Sequence, residues 1–124
     1  MILVMSATDG SGRTLKLERG PTVPEWGGPE AGLPGKAFAK VLRDLTSGES
    51  PAVSYWNQTL VESDNRIPAY ATDVSEYEFA AGGTAETKVE ARLIFRRLFH
   101  RLAQQKRWDS PDILLARVSA ETSG

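Results

Sequence analysis

The sequence predicts a mainly β domain, an antiparallel β-sandwich of about seven strands with one short helix near the C-terminus. The first observation is the content of 11 Gly and 7 Pro among 124 residues, which is typical of a chain with many turns. The second is a series of short segments with alternating apolar residues or β-branched and aromatic clusters, each bounded by turn residues. The third is that clear helical spacing appears in one stretch, residues 96–106.

The first third of the chain predicts a hairpin, a long loop and one more strand. Residues 2–8 and 14–18 have strand character on either side of a cluster of turn residues. Residues 20–35 hold five of the glycines and four of the prolines, so we expect an irregular loop anchored by Trp26. Residues 37–44 fit both a helix and a strand, and we favour the strand.

The rest of the chain predicts four strands and the helix. The aromatic and β-branched run at residues 53–61 favours a strand, and alternation over residues 76–81 favours another. Apolar and charged residues alternate most clearly over residues 88–95. The apolar period then changes from 2 to 3.6, so we expect the helix at residues 96–106 to follow directly and to cap the β core. Residues 114–120 predict a last strand, with a frayed polar tail after it.

Composition excludes several classes of function. The 15 basic and 16 acidic residues leave a net charge of −1, so no global field favours nucleic acid or anionic lipid. The absence of cysteine excludes a disulfide framework, a thiolate zinc site and a Cys-X-X-Cys-His haem attachment within this sequence. No apolar run approaches the roughly 20 residues of a membrane helix, so membrane insertion is not expected. We predict no cofactor and no metal in this chain.

The chain is expected to form a single domain, residues 1–124, around one hydrophobic core. Its strand pattern begins at Ile2, without the charged start and the length of a signal peptide. Such a beginning is typical of a fragment, and we expect the chain to be part of a longer protein.

One hexapeptide combines turn residues, a single guanidinium and a proline: Ser63-Asp64-Asn65-Arg66-Ile67-Pro68. Asp64 and Asn65 can bond neighbouring backbone groups, and Pro68 disfavours helix before it, which predicts a rigid structural corner. We expect the Arg66 guanidinium to clamp this corner by bonding to backbone carbonyls or to a nearby carboxylate. The alternative is that the corner faces a ligand, which a guanidinium free in solvent would indicate.

The sequence contains no convincing catalytic set, and we predict that the chain is not an enzyme. Four carboxylates would suit acid–base chemistry or a hard cation only if their spacing brought them together: Asp64, Asp73, Glu76 and Glu78. Glu76 and Glu78 instead share one strand face opposite Tyr77, which is typical of a solvated face. His100 is the only histidine and has no neighbouring partner for a proton relay.

Basic residues cluster around the predicted helix and mark a candidate docking face for an acidic partner or domain. The candidate interaction residues are Arg66 at the corner and, at the helix, Arg96, Arg97, His100 and Arg101. A solvated helix face, with its basic end at the C-terminal dipole, is the alternative interpretation.

Aromatic residues suggest a second function, the binding of a carbohydrate or another ligand by a β-sandwich module. Five of them would stack on sugar rings if they were exposed: Trp26, Tyr55, Trp56, Tyr70 and Trp108. Aromatic side chains in a β domain are more often core or loop anchors, and burial of the three tryptophans would exclude such a platform.

Several motifs, taken in order, resemble a known family. They are the hexapeptide, Thr72-Asp73, Tyr77-Glu78-Phe79, Val89-Glu90-Ala91-Arg92-Leu93-Ile94-Phe95-Arg96-Arg97, and Lys106-Arg107-Trp108 through Pro111-Asp112-Ile113. Together they resemble the C-terminal β-rich accessory domain of bacterial multihaem cytochrome c proteins, the cytochrome c554-like family. The similarity lies mainly within residues 60–120.

The resemblance implies a noncatalytic accessory or interaction domain of an exported electron-transfer protein, in a periplasmic or extracytoplasmic location. Haem c is then expected elsewhere in the full-length protein, because this sequence has no Cys-X-X-Cys-His motif. The implied partner is the haem-bearing domain of the same polypeptide or a redox partner protein. The resemblance supplies no catalytic residues.

Overall fold

The computed structural model describes residues 1–52, 57–82, 86–96, 99, 103–104, 107 and 111–123. Within them the chain forms eight strands and one 3₁₀-helix, in this order: β1 Ile2–Asp9, β2 Leu17–Arg19, the 3₁₀-helix Glu25–Glu30, β3 Gly35–Ala37, β4 Lys40–Asp44, β5 Thr59–Asp64, β6 Glu78–Phe79, β7 Glu86–Phe95 and β8 Ile113–Ser123. All their pairings are antiparallel. The prediction of a mainly β, antiparallel fold is confirmed.

The strands form one large sheet and two small ribbons. The large sheet has the order β3-β1-β7-β8, and the ribbons pair β2 with β6 and β4 with β5. β1 and β7 pair along the whole of β1, from Ile2 opposite Ile94 to Asp9 opposite Thr87. β8 pairs in turn with the whole of β7, so these three strands form the frame of the domain.

The predicted N-terminal hairpin forms only at its turn. Asp9 Oδ1 accepts hydrogen bonds from the backbone N–H groups of Ser11 and Arg13, both at 3.0 Å, and so stabilises the turn. After a bridge between Thr8 and Thr14, the chain leaves β1 and pairs with β6 as β2. The predicted extent was wrong, since β3 pairs with Ile2, Leu3 and Val4 on that edge of β1 and β7 occupies the opposite edge.

The main core lies on one face of the large sheet. Its buried members are Ile2, Val4, Val23, Ala37 and Ile94. Ile94 belongs to this core because it lies opposite Ile2, whereas the alternating apolar residues that the sequence showed at 89, 91 and 93 lie on the other face. Both faces of β7 are therefore apolar over part of its length.

Residues 20–35 form the predicted irregular loop. A bridge between Thr22 and Pro34 closes it, and it contains the 3₁₀-helix, which the sequence did not indicate. The half-buried ring of Trp26 packs against the core and meets Phe99 edge to face, with 5.4 Å between ring centroids and an interplanar angle of 88°. The anchoring role predicted for Trp26 is confirmed.

Three other segments differ from the prediction at their boundaries. Residues 37–44 are extended as favoured, but residues 38–39 separate β3 from β4. The tail that was expected to be frayed pairs with β7 as far as Ser123. Of the helix predicted at residues 96–106, residues 103–104 are helical, and most of the others lie outside the described residues.

Candidate interaction loop

The predicted corner is a loop between β5 and β6, residues 65–73, which we call the corner loop. β5 continues through Asp64, so the turn starts at Asn65 rather than at Ser63. Residues 53–56, where a strand was predicted, lie outside the described residues. The side chains of β5 are mostly exposed, so the corner loop continues from a strand at the surface.

Asn65 fastens the start of the corner loop to the connection between β3 and β4. Its Oδ1 accepts a hydrogen bond from the backbone N–H of Ala39 at 2.8 Å, and its Nδ2 donates one to the carbonyl of Ala37 at 2.6 Å. Lys40 and Asp64 form the last residue pair at this end of the β4–β5 ribbon. The side-chain amide of Asn65 therefore adds hydrogen bonds directly beyond the backbone pairing of that ribbon.

Arg66 forms a bidentate contact with a carboxylate two residues earlier. Its Nε and Nη2 donate to the two carboxylate oxygens of Asp64, both at 2.9 Å. The bond lowers the pKa of Asp64 and raises the pKa of Arg66 relative to their ordinary values. This is the contact with a nearby carboxylate that the sequence predicted. The side chain of Arg66 nevertheless stays 61% exposed, so its outer surface remains accessible.

The far end of the corner loop is attached to β3. Asp73 accepts hydrogen bonds from Lys36 Nζ at 2.9 and 3.1 Å through its two carboxylate oxygens. Lys36 lies next to Ala37, which holds Asn65 at the other end of the loop. Residues 66–72 are therefore fastened on both sides to the same edge of the large sheet.

Tyr70 lies at the tip of the corner loop. The backbone N–H of Ala71 donates to the carbonyl of Pro68 at 3.1 Å, which closes a tight turn around it. Tyr70 has a φ of 62° and a fully exposed side chain. Earlier in the loop, Asp64, Arg66, Ile67 and Pro68 line a shallow cleft of about 520 Å³. The corner loop thus presents an exposed aromatic ring at its tip and a guanidinium that lines a surface depression.

The carboxylates after the corner loop do not converge. Glu76 and Glu78 are exposed, whereas the alternate residues Tyr77 and Phe79 are half-buried, as the alternation predicted. Among the residues that the structure describes, no group of three or more His, Asp or Glu side chains is placed to hold a metal ion.

Arg96, predicted as a docking residue, has its guanidinium engaged within the domain. It donates to the carbonyl of Gly27 and to Glu30 Oε2, both at 2.6 Å, and to both carboxylate oxygens of Asp112, at 2.9 and 2.8 Å. The bond to Asp112 raises the pKa of Arg96 above its ordinary value. With its side chain 13% exposed, Arg96 ties the loop at residues 20–35 to β7 and to the start of β8.

Several predicted site residues lie outside the described part of the chain: Arg97, His100, Arg101, Tyr55, Trp56 and Trp108. Their roles stay predictions. Of the remaining candidates, Arg66 and Tyr70 share the corner loop, whereas Arg96 and Trp26 hold the loop at residues 20–35 in place.

The anchoring role of Asn65 was not predicted, since the clamp was expected from Arg66. A carboxamide carries both a donor and an acceptor and so matches a strand edge better than a guanidinium does. The donor and acceptor of the Asn65 side chain could therefore have indicated its anchoring role. The partners of Asn65 were not predictable, because Ala39 and Ala37 are 26 and 28 residues away in the chain.

We expect Asn65→Ala to loosen the corner loop. Two backbone groups would lose their partner, which costs about 1–2 kcal/mol locally, so amide hydrogens of residues 66–72 should exchange roughly tenfold faster. Hydrogen-exchange mass spectrometry measures this directly. Arg66→Ala is the matched control, because it removes an exposed contact with Asp64 and should change exchange little. A larger effect of Arg66→Ala would show that the guanidinium is the clamp.

Comparison with known proteins gives no relative to set beside this site: no protein-family model matches the sequence, and neither the curated proteins nor the solved structures contain a match. Among the described residues, no helix has the length and apolar character needed to cross a membrane.

Proposed function

We propose that this chain is a noncatalytic accessory domain that binds a partner protein through the corner loop. The observation that carries the proposal is Tyr70, a fully exposed aromatic residue at the tip of a loop that is fastened at both ends. Tyr and Arg are enriched among the side chains that dominate binding energy in interfaces. Tyr70 and Arg66 are both accessible to a partner.

The attachment of the loop favours binding. A loop that is already ordered loses less conformational entropy on association than a free one, so its contacts contribute more fully to affinity. Pro68 restricts the backbone before the tip, and Tyr70 itself adopts a left-handed conformation. Sparsely populated conformations of this kind cluster at functional sites.

The partner surface should offer an apolar pocket for the ring of Tyr70 and an oxygen acceptor for Arg66. Asp64 occupies one edge of the guanidinium, which leaves donors for a carbonyl or carboxylate of the partner. The resemblance to multihaem cytochrome c proteins suggests the haem-bearing domain of the same polypeptide, or a redox partner, in a periplasmic or extracytoplasmic location. The hexapeptide and Asp73, which carry part of that resemblance, also build the corner loop.

Carbohydrate binding is the second candidate function. The exposed ring of Tyr70 favours it, because an accessible aromatic face stacks on a sugar ring. Trp26 does not join such a platform, since its ring packs against the core and against Phe99. A single aromatic residue gives this function less support than the fastened loop gives protein binding.

The reading frame that flanks this chain tests the identity of the partner. We expect upstream Cys-X-X-Cys-His repeats, which would place haem c in the same polypeptide. A single short gene without such repeats would contradict the cytochrome assignment, while the proposal that the corner loop binds a protein would stand.

Calorimetric titration of this chain with the protein encoded by the flanking frame tests the loop. Tyr70→Ala should weaken binding about 30-fold, the effect of a residue that contributes about 2 kcal/mol. Val74→Ala is the matched control, because Val74 is 78% exposed but lies just after the loop, and it should change affinity little. Unchanged affinity of Tyr70→Ala would contradict the proposal, and glycan-array signals that this variant loses would favour carbohydrate instead.

A further inference from the structure

We propose that two copies of this chain associate edge to edge through β8, which makes one continuous sheet across a twofold axis. β8 is 11 residues long and forms one edge of the large sheet, where β7 is its only partner among the described strands. Every side chain from Ile113 to Glu121 is exposed, including Leu114 at 53% and Val118 at 66%. A long edge strand with exposed apolar side chains is a template for pairing with another strand.

The face of the large sheet opposite the main core also carries apolar residues, and these continue to this edge. Three rows of residues cross β1, β7 and β8 on that face: Leu3, Leu93 and Ala116; Met5, Ala91 and Val118; Ala7, Val89 and Ala120. Exposure rises along the last row, from Ala7, which is buried, through the half-buried Val89 to the exposed Ala120. A strand added beside β8 would continue these rows and cover the side chains at the edge.

The opposite face of β8 carries an unbalanced positive charge. Arg117 lies directly opposite Arg92 in the β7–β8 pairing. Both guanidinium groups share one carboxylate, that of Glu90, at 2.9 Å from Arg117 and 3.8 Å from Arg92. The side chain of Arg117 is still 61% exposed. A second carboxylate beside Arg117 would balance this cluster.

A second copy supplies that carboxylate from its own β8. In an antiparallel pair, opposed residues lie on the same face, and Arg117, Ser119 and Glu121 share the polar face. A twofold axis at Ser119 therefore places Arg117 of each copy opposite Glu121 of the other, and Val118 opposite Ala120 on the apolar face. Glu121 lies opposite Lys88 in the β7–β8 pairing, but its carboxylate forms no ion pair among the described residues, so it can contact Arg117 of a second copy. The strand is thus complementary to itself, as an isologous interface requires.

This association would leave the corner loop free. The loop is attached to β3, which forms the other edge of the large sheet. In the paired sheet the two corner loops would lie at opposite ends, seven strand spacings or about 34 Å apart. The dimer would therefore present two partner-binding loops and would gain avidity for a partner with repeated sites.

Sedimentation velocity over a hundredfold range of concentration tests the proposal. The natural chain should shift from monomer to dimer as concentration rises. Arg117→Glu and Glu121→Arg should each weaken the dimer about tenfold or more, because like charges then face each other twice. An equimolar mixture of the two variants should restore the dimer, since the acidic positions of one copy then meet the basic positions of the other. A natural chain that stays monomeric, or a dimer that neither reversal weakens, would overturn the proposal.

Two controls keep the result interpretable. Far-ultraviolet circular dichroism shows whether each variant folds. If a charge reversal does not fold, Ser119→Arg replaces it, because it keeps the bond between Arg117 and Glu90 and places two guanidinium groups at the axis. That variant should also be monomeric, and an unweakened dimer would overturn the proposal. Tyr70→Ala should leave the dimer intact, so loss of self-association and loss of partner binding are distinguishable.

Discussion

Gly35→Ala is expected to lower the free energy of unfolding by about 3 kcal/mol or more, because both the backbone conformation and the space around Gly35 exclude a side chain. Gly35 has a φ of 155°, which a residue with a Cβ rarely adopts. An added Cβ would overlap the carbonyl oxygen of Leu3 and would lie 3.1 Å from Cγ2 of Val23. The Leu3 carbonyl belongs to β1, so relief would require β3 to separate from the large sheet.

Denaturant unfolding followed by tryptophan fluorescence measures this loss, since Trp26 packs against the same core. Gly48→Ala is the matched control, because Gly48 also has a positive φ, of 74°, but an added Cβ would meet no atom within 4 Å. It should cost about 1 kcal/mol, the backbone contribution alone. Equal losses for the two variants would show that the approach of Gly35 to β1 does not limit stability.

Arg96→Ala should destabilise the domain by about 2–4 kcal/mol, because it removes the donors for three partners in a partly buried site. Glu30 and Asp112 would each lose a cation, and the carbonyl of Gly27 would lose a hydrogen bond. These partners come from the loop at residues 20–35 and from the segment before β8. The substitution should therefore loosen both the 3₁₀-helix and the start of β8.

Thermal unfolding and hydrogen exchange together test this expectation. Arg96→Lys should recover only part of the loss, because an ammonium group cannot bind Asp112 through two parallel hydrogen bonds. Arg43→Ala is the matched control, since Arg43 pairs with Glu62 and its side chain is 51% exposed. The thermal unfolding midpoint of this variant should stay nearly unchanged. If Arg96→Ala unfolds at the same temperature as Arg43→Ala, the anchoring role of Arg96 is wrong.

Strand character was predictable because it depends on local side-chain direction. Alternation over residues 88–95 and the apolar run at residues 2–8 correspond to β7 and β1. Strand pairing was not predictable in the same way. Residues 14–18 follow a turn that does form, yet β2 pairs with β6, about 60 residues later, while β3 pairs with β1 at Ile2, Leu3 and Val4 and β7 occupies the other edge of β1.

The corner loop likewise has features that were predictable from the sequence and features that were not. Turn chemistry at Asp64 and Pro68 predicted a corner, and the contact between Arg66 and Asp64 is local enough to be expected from the sequence. The exposure of Tyr70 and the anchoring of Asn65 were not indicated, since exposure depends on the whole fold and the Asn65 contact depends on where β3 lies. Arg96 was expected on a docking face. Its internal role was not predictable, because the two carboxylates that it binds are 16 and 66 residues away in the chain.

Residue chemistry alone therefore specified the β character of the chain, its turns, the exclusion of thiolate and haem attachment, and the position of the corner. The arrangement in space decided which arginine is an internal anchor, which is accessible, and which of the described strands lie at the edges of the large sheet. The reason is physical: backbone preference and alternation act between neighbours in sequence, whereas burial, ion pairing and strand order depend on residues that meet only when the chain is folded.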